Sequence, residues 1–192
     1  MTDNQNTSEP VVLVENNRLR IRSTIRDDMV LKVQWYADPD VNKTLVLPEP
    51  LELRKTYAWF DRTKDDPGRA DWLLETADGV PIGVIGIKNI NTNNKSGLLY
   101  IVIGEKAYWG RGLGLDAECL AIHYGFQAMK LRKILGTAME NNVGSIRVCE
   151  KVGFVEEGLF RDDYYHDGQY YNVYRYGIFP EEFYGKHPEY QN

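Results

Sequence analysis

The sequence predicts a mixed α/β fold, in which a central, mostly antiparallel sheet of about six or seven strands is flanked by helices. Three observations predict it. The segments 71–76, 80–90 and 97–103 have strand-like composition and are separated by turn-forming residues, which is typical of an antiparallel meander. A glycine-rich stretch then precedes apolar residues at helical spacing. Two further strands, 155–165 and 170–179, are separated by a short turn, which predicts a terminal hairpin.

The amino-terminal half of the chain begins with one short strand and two helices. Alternating apolar and polar side chains over residues 19–23 predict the strand. Asp27 and Asp28 open a helical stretch that runs through Trp35 and ends in a turn-like Asp-Pro-Asp sequence. Residues 51–62 form a second predicted helix, which an Asp-Asp-Pro-Gly sequence ends.

The carboxy-terminal half alternates helices and strands. The helix that follows the glycine-rich stretch runs to about Met129. A strand over 133–139 and a helix over 144–151, which Gly153 ends, precede the terminal hairpin. This order of elements is typical of helices packed on one mixed sheet.

Length and composition fit one globular domain. The 192 residues are 43% hydrophobic and 27% charged, the balance of an ordinary globular protein. We expect a disordered leader over 1–10, one domain over 11–185 and a flexible tail over 186–192. No window approaches the roughly 18 uninterrupted apolar residues of a membrane span, and the leader has no apolar signal-peptide core. We therefore expect a cytoplasmic protein with no membrane partner.

The net charge argues against a nucleic-acid-binding protein, and the spacing of cysteines and histidines argues against a metal-binding one. The net charge of −5 argues against general nucleic-acid binding. The only cysteines, Cys119 and Cys149, and the three scattered histidines lack the spacing of a metal site. We expect neither a nucleic-acid partner nor a bound metal.

The stretch Gly110-Arg111-Gly112-Leu113-Gly114 lies between a predicted strand and a predicted helix. Glycines let the backbone approach a ligand closely, and the first turn of a helix offers unpaired N–H groups. These donors, the helix dipole and the charge of Arg111 suit an anion such as a pyrophosphate. A tight turn with a purely structural role is the alternative.

Two nucleotide-binding motifs share some of these letters. Gly112-x-Gly114-x-x-Ala117 matches the dinucleotide fingerprint, but that fingerprint begins directly at the end of its strand. Here five residues separate Gly104 from Gly110. The P-loop pattern fails because no Gly-Lys-Ser/Thr follows a strand. We reject both motifs.

Two sequence blocks resemble those of the GNAT superfamily of acetyltransferases. Residues 108–114, Tyr-Trp-Gly-Arg-Gly-Leu-Gly, are similar to that family's acetyl-CoA pyrophosphate loop, and residues 142–154 are similar to its next helix and the start of the next strand. The blocks occur in the family's order and at a similar separation. The likeness extends from about Leu19 to Phe179 and is closest to the branch of ribosomal-protein, polyamine and amino-sugar N-acetyltransferases.

The resemblance implies an N-acetyltransferase that moves an acetyl group from acetyl-CoA, its co-substrate, to a primary amine. The acceptor would be a polyamine, an amino sugar, a protein amino terminus or another small amine, and transfer would be direct, in a ternary complex. An acetyl-CoA-binding regulatory or interaction module with little catalysis is the alternative. A homodimer is compatible with this family assignment.

The resemblance also implies which residues bind acetyl-CoA. The strand backbone would contact the pantetheine arm, loop N–H groups would bind the pyrophosphate, and the second block would contact the pantetheine and the phosphates or stabilise the start of its helix. Arg147 and Lys151 share one helix face and would help with the 3′-phosphate or adenine, with a solvated face as the alternative. The implied cofactor-binding residues are Ile101, Val102, Ile103, Trp109, Gly110, Arg111, Gly112, Leu113, Gly114, Leu115, Asn142, Ser145 and Lys151.

The catalytic residues follow less directly, because the chain departs from the family at two positions. Cys149 stands where many members have a tyrosine that protonates the leaving group, and Gly97 stands where many have a glutamate base. Cys149 is one candidate acid, with a small packed side chain as the alternative. Tyr174 and Tyr100 are the other candidates, although most strand tyrosines serve packing.

Acceptor choice is expected to depend on the amino-terminal helices and the terminal hairpin. The helices carry Trp35, Tyr36, Trp59 and Phe60, which either wall an acceptor pocket or fill the core. No residue in these segments selects one class of amine over another.

Overall fold

The computed structural model describes residues 9–43, 45, 50–166 and 168–191. Within these ranges the chain forms one sheet of eight strands, in the order β1-β2-β3-β4-β5-β6-β8-β7, with helices on both faces. The strands are β1 (Val12–Glu15), β2 (Leu19–Ser23), β3 (Arg69–Thr76), β4 (Pro81–Asn91), β5 (Ser96–Ile103), β6 (Lys133–Met139), β7 (Val155–His166) and β8 (Gln169–Ile178). The helices are α1 (Asp28–Ala37), α2 (Pro39–Asn42), α3 (Leu53–Thr63), α4 (Leu113–Gln127), α5 (Val143–Val152) and α6 (Pro180–Lys186), with short 3-10 turns at Lys106–Tyr108 and Pro188–Tyr190.

The mixed α/β class with a mostly antiparallel sheet is confirmed, but the sheet has one strand more than the predicted six or seven. The additional strand is β1, an edge strand that pairs antiparallel with β2. Its four residues are too few to show a periodic pattern in the sequence.

A short helix replaces the turn predicted at Asp38-Pro39-Asp40. The Asp38 carboxylate accepts a hydrogen bond from the Asp40 N–H at 2.9 Å and so caps α2, with Pro39 at its first position. Aspartate and proline favour the start of a helix as well as a turn, so the sequence signal was ambiguous.

The segment after α6, where the sequence predicts a flexible tail over 186–192, includes the 3-10 turn at Pro188–Tyr190. The Tyr190 ring lies 5.3 Å from the His123 ring and 5.6 Å from the Phe183 ring, between centroids. These aromatic contacts attach the segment after α6 to α4. Most of the predicted leader, residues 1–8, and residue 192 lie outside the described ranges.

Two apolar clusters lie on opposite faces of the sheet. One cluster packs α4 against alternate residues of the central strands, such as Leu74 and Ile85. The other packs α1 against the residues between them, such as Leu73 and Val84. This alternation is the period of two that a sheet covered on both faces requires. Within the described ranges, no helix is long and apolar enough to span a membrane.

A buried ion-pair network joins β2, β3 and the start of α1. The Arg22 guanidinium donates two hydrogen bonds of 2.8 Å to the Asp28 carboxylate and one of 2.7 Å to the Glu75 carboxylate. All three residues are buried. The Asp28 carboxylate also accepts a 2.8 Å hydrogen bond from the Ile25 N–H, so its oxygens are well satisfied.

The sheet opens between its two central strands. Every neighbouring pair is antiparallel except β5 and β6, which run parallel. They pair only through Ser96, Gly97 and Leu98 on β5, with Lys133 to Leu135 on β6. Beyond Leu98, β5 continues beside β4 as far as Ile103 while it diverges from β6. Its later backbone groups therefore face an opening instead of a neighbouring strand.

Candidate active site

A cleft of about 930 Å³ lies where β5 diverges from β6. Its walls come from β5, the loop before α4, the first turns of α4 and α5, and the segment around α2. The lining residues are Asp40, Val41, Lys43, Leu45, Ile101, Val102, Ile103, Tyr108, Trp109, Gly110, Gly112, Leu113, Gly114, Leu115, Glu118, Asn141, Asn142, Val143, Gly144, Ser145, Arg147, Val148 and Lys151.

The first wall is the amino terminus of α4. Gly112 precedes the helix with a φ of 78°, and Gly110 has a φ of 72°. Both values are in the left-handed region that favours glycine. A Cβ at Gly110 would meet nothing within 4 Å, so this glycine is required for its backbone conformation and not for lack of space. Because Gly112 has no side chain to cap the helix, the first N–H groups of α4 are available to a ligand.

The second wall is the amino terminus of α5. The Asn142 side-chain oxygen accepts a 3.1 Å hydrogen bond from the Ser145 N–H and so caps the helix. Arg147 and Lys151, one and two turns further along, face the same cleft. Two helix amino termini and two cations therefore point to one space, an arrangement that favours a multiply charged anion.

The loop before α4 is held from its outer side by Arg18. One guanidinium nitrogen lies 2.5 Å from an Asp116 carboxylate oxygen, and another donates a 2.7 Å hydrogen bond to the Arg111 carbonyl oxygen. The Arg111 guanidinium lies 5.3 Å from the centroid of the Tyr108 ring. Arg111 is the one predicted cofactor residue that is not among those that line the cleft.

One backbone carbonyl of the strand wall already accepts a side-chain hydrogen bond. The Trp109 indole N–H donates a 2.8 Å hydrogen bond to the Ile103 carbonyl oxygen, which was expected to contact a pantetheine arm. This bond fixes the indole over the end of β5.

The structure adds cleft residues that are not among the implied cofactor-binding residues, although four of them lie within the two blocks that resemble the family. They are Tyr108, Glu118, Asn141, Val143, Gly144 and Val148, together with the residues around α2. Glu118 had a detectable signal, because it lies one turn after Gly114 and Leu115 on the same face of α4.

None of the predicted catalytic side chains is among the residues that line the cleft. Cys149 is 4% exposed and lies behind the cleft-facing residues of α5. Burial, with the nearby Glu118 charge, raises the pKa of its thiol to about 12. These properties fit the packed alternative, because such a thiol is a poor proton donor to a thiolate whose pKa is near 8.5. Tyr174 packs in β8 with its ring 6.2 Å from that of Tyr176.

Tyr100 belongs to a separate group of polar side chains on the α1 face of the sheet. We call Lys32, Arg69, Asp71 and Tyr100 the amino-terminal polar cluster. The Tyr100 hydroxyl donates a hydrogen bond to the Asp71 carboxylate, which also accepts bonds of 2.5 and 2.8 Å from Arg69. Burial, together with the Asp71 charge, raises the pKa of Tyr100 well above its usual value.

Aromatic residues of α3 lie next to this cluster. The Lys32 ammonium is 3.7 Å from the centroid of the Trp59 ring, and burial lowers the pKa of that lysine to about 8. Trp59 and Phe60 line a smaller cavity of about 260 Å³ together with Asp71. Trp35 and Tyr36, the other aromatic candidates, are buried in the core under α1.

Close packing explains why Gly97 stands where many members of the resembled family have a glutamate. A Cβ at Gly97 would lie 2.4 Å from the Ile87 side chain, so a larger residue would force that side chain to move. Across the described ranges, no three His, Cys, Asp or Glu side chains gather as a metal site would require.

Comparisons with known proteins identify one family model and several similar proteins. Residues 18–155 match the sequence model of the acetyltransferase (GNAT) domain. Uncharacterized protein MJ1062 of Methanocaldococcus jannaschii is 26% identical over 73% of this chain, but the match spans only 28% of its own length. A spermidine N(1)-acetyltransferase of Escherichia coli is 29% identical over 67% of this chain and 68% of its own. A Vibrio cholerae spermidine N-acetyltransferase structure, in complex with CoA and spermine, has a TM-score of 0.82 at 23% identity and covers 88% of this chain and 99% of its own.

Proposed function

The chain belongs to the GNAT acetyltransferase family, and from this premise we propose that it acetylates a small primary amine of the polyamine type by direct transfer in a ternary complex. The acetyl-CoA-dependent N-acetyltransferase activity is that of the family. The polyamine acceptor is supported by the E. coli relative and by the V. cholerae structure, whose names specify spermidine and spermine.

One observation supports this function above the others, namely the opening between β5 and β6 at the amino termini of α4 and α5. In this proposal the pantetheine arm follows residues 101–103 in the opening. The pyrophosphate binds the unpaired N–H groups after Gly112, and Lys151 with Arg147 attracts the remaining phosphate.

The reaction needs a neutral amine, an oriented thioester carbonyl and a proton for the departing sulfur. The cleft brings the two substrates together, which converts an encounter in solution into a step within one complex. Backbone donors in the opening polarise the carbonyl as negative charge develops on its oxygen.

Acetyl-CoA titration by calorimetry, followed by an amine panel with thiol detection, tests this proposal. The panel holds spermidine, spermine, an amino sugar and a peptide with a free amino terminus. We expect saturable acetyl-CoA binding and CoA release that depends on spermidine or spermine. Release with only the amino sugar or the peptide would contradict the polyamine acceptor, and binding without release would favour a regulatory module. Absence of binding would contradict the cofactor site itself.

We also propose a cytoplasmic location and a homodimer. The long edge strand β7 carries exposed apolar residues, including Leu159 and Phe160, which a second copy would cover. Light scattering measures the mass in solution, and a monomer at all concentrations would contradict the dimer.

A further inference from the structure

Two acidic side chains line the cleft, and only Glu118, on the second turn of α4, is buried; Asp40 is exposed and paired with Lys106. Glu118 follows Gly114 by four residues and Leu115 by three, so the three share the helix face that lines the cleft. Glu118 is nonetheless only 5% exposed.

The Glu118 carboxyl has no protein partner in the part of the chain that the structure describes. It makes no hydrogen bond there, whether to backbone or to side chain, and it forms no ion pair. This is unusual, because an ionised carboxylate without a partner is costly to bury. The other buried acids of the fold, Asp28 and Glu75, are both paired with Arg22.

Burial, and not a neighbouring charge, explains the protonation state of Glu118. The titratable neighbours are Cys119 on its own helix and Cys149 on α5, and a charge on Glu118 raises the pKa of both thiols. The cleft wall from β5 contributes only the aliphatic residues 101–103, and α5 adds the cations Arg147 and Lys151 further along the cleft. Burial raises the pKa of Glu118 to about 8. The carboxyl therefore carries a proton at neutral pH.

The position of Glu118 allows it to donate a proton inside the cleft, which the other candidate acids cannot reach. Cys149, Tyr174 and Tyr100 do not line the cleft, whereas Glu118 does. Cys149 is a short side chain at a position where the resembled family often has a tyrosine, and the Glu118 carboxyl lies close enough to affect its titration. A group whose pKa is near that of the leaving thiol is well matched to donate a proton to it.

We propose that Glu118 is the catalytic acid that protonates the sulfur of coenzyme A as the thioester bond breaks. This inference rests on the proposed function. The acceptor nitrogen bonds to the carbonyl carbon, the carbon–sulfur bond breaks, and its electron pair goes to sulfur. The Glu118 O–H bond breaks and its proton goes to that sulfur. The acceptor nitrogen loses one proton to solvent, and the carboxylate regains one from solvent, so the sum is amide plus free thiol.

The test compares Glu118→Gln with a matched control, Glu150→Gln, which removes an exposed carboxylate of α5 that does not line the cleft. The first measurement is kcat at saturating acetyl-CoA and spermidine between about pH 6 and pH 10. We expect Glu118→Gln to lower kcat about 100-fold at neutral pH. The ratio of parent to variant kcat/KM for acetyl-CoA, measured over the same pH range, should fall as pH rises through about 8, because the free parent enzyme then loses its proton. The control should keep the parent's profile.

The second measurement needs no acceptor. A bound cofactor covers the carboxyl and so favours its protonated form, which links acetyl-CoA binding to the proton. We expect the affinity of the parent, relative to Glu118→Gln, to fall about tenfold between about pH 7 and pH 9 in calorimetric titrations.

The two measurements separate failure of this inference from failure of the proposed function. If spermidine is acetylated and Glu118→Gln keeps the parent's kcat and pH profile, the inference is overturned. If no amine is acetylated, the proposed function fails, and the binding measurement alone decides whether the cofactor covers Glu118. An affinity ratio that is constant with pH overturns the inference in either case.

Discussion

Buried polar groups are paired with one another on the α1 face of the sheet, whereas those in the cleft are left without a partner among the described residues. On the α1 face, Arg22 joins two carboxylates. In the amino-terminal polar cluster, Arg69 and Tyr100 both donate hydrogen bonds to Asp71. In the cleft, by contrast, the first N–H groups of α4 and the Glu118 carboxyl have no partner within the described residues. The first arrangement stabilises the fold, and the second leaves groups that only a ligand satisfies.

This difference predicts how substitutions separate stability from binding. A change in the paired region should lower the free energy of unfolding and leave cofactor affinity intact in the folded fraction. A charge-changing substitution in the cleft should lower cofactor affinity by more than its effect on stability explains, because the cleft groups act mainly on the ligand. Four substitutions test this separation.

The largest effect is expected from Arg22→Met, which leaves the Asp28 and Glu75 carboxylates buried without a cation. We expect the free energy of unfolding to fall by about 3–5 kcal/mol in urea denaturation. Arg26→Met is the control, since its ion pair with Asp61 is half exposed with a separation of 3.5 Å, and it should cost less than about 1 kcal/mol. If both variants lost the same free energy of unfolding, the buried ion-pair network would stabilise the fold no more than a surface ion pair does.

Gly112→Asp should mainly lower the affinity for acetyl-CoA. A side chain at its φ of 78° costs about 1–2 kcal/mol, and the new carboxylate repels an anion at the α4 amino terminus. We expect calorimetry to show a loss of acetyl-CoA affinity of at least about 100-fold, equivalent to about 2.7 kcal/mol.

A matched control for this variant is Gly79→Asp, in the turn between β3 and β4. Its φ of 85° imposes a similar backbone cost, and a Cβ there meets nothing within 4 Å. Both variants should lose similar stability, and only Gly112→Asp should lose affinity. A similar affinity loss in Gly79→Asp would mean that backbone strain, and not the cleft, weakens binding.

Glu118→Gln, a change in the cleft, should increase the free energy of unfolding at alkaline pH. Burial raises the pKa of Glu118 from its ordinary 4.5 to about 8, so the stability that its proton provides is complete below about pH 4.5 and is lost as pH rises through about 8. Glutamine cannot ionise, so we expect this variant to be more stable than the parent at about pH 9, by a difference that grows as pH rises from about 4.5 to about 8. Urea denaturation at several pH values measures this, and a difference independent of pH would contradict burial of an unpaired carboxyl.

The smallest effect is expected from Asn142→Ala, at the boundary between the two roles. Loss of its hydrogen bond to the Ser145 N–H removes a helix cap and should cost about 1 kcal/mol of unfolding free energy. Asn142→Asp keeps a capping oxygen but adds a negative charge at the cleft, so it should keep stability and lose affinity. If Asn142→Asp binds acetyl-CoA as tightly as the parent, the α5 amino terminus does not meet the anion.

The features that could be predicted from sequence are those that a short stretch of chain determines. The glycines before α4 and the Asn142 cap depend on local backbone geometry, and the long strands show their pattern over many residues. The strand β1 is too short for this. The Tyr100–Asp71 bond and the burial of Glu118 depend on which strands and helices become neighbours, and no spacing within the chain records that.

The catalytic predictions illustrate the same limit. Cys149 is a candidate because of its position in the family's pattern, and the tyrosines are candidates because of their residue type, but the place of each side chain depends on the packing of α5 and of the strands around it. Glu118 was overlooked because an acid on a helix ordinarily faces water. Only the close packing of α4 and α5 makes it a buried one.

The short pairing between β5 and β6 also has a mechanical consequence. Three residue pairs are the only ladder between the strands β1–β5 and the strands β6–β8 within the described ranges. A pantetheine arm in the opening would act as a missing length of strand and join two half-sheets that otherwise meet along a narrow seam. Amide hydrogen exchange should then slow in both half-sheets together when acetyl-CoA binds. The co-substrate would thus make the two half-sheets unfold as one unit.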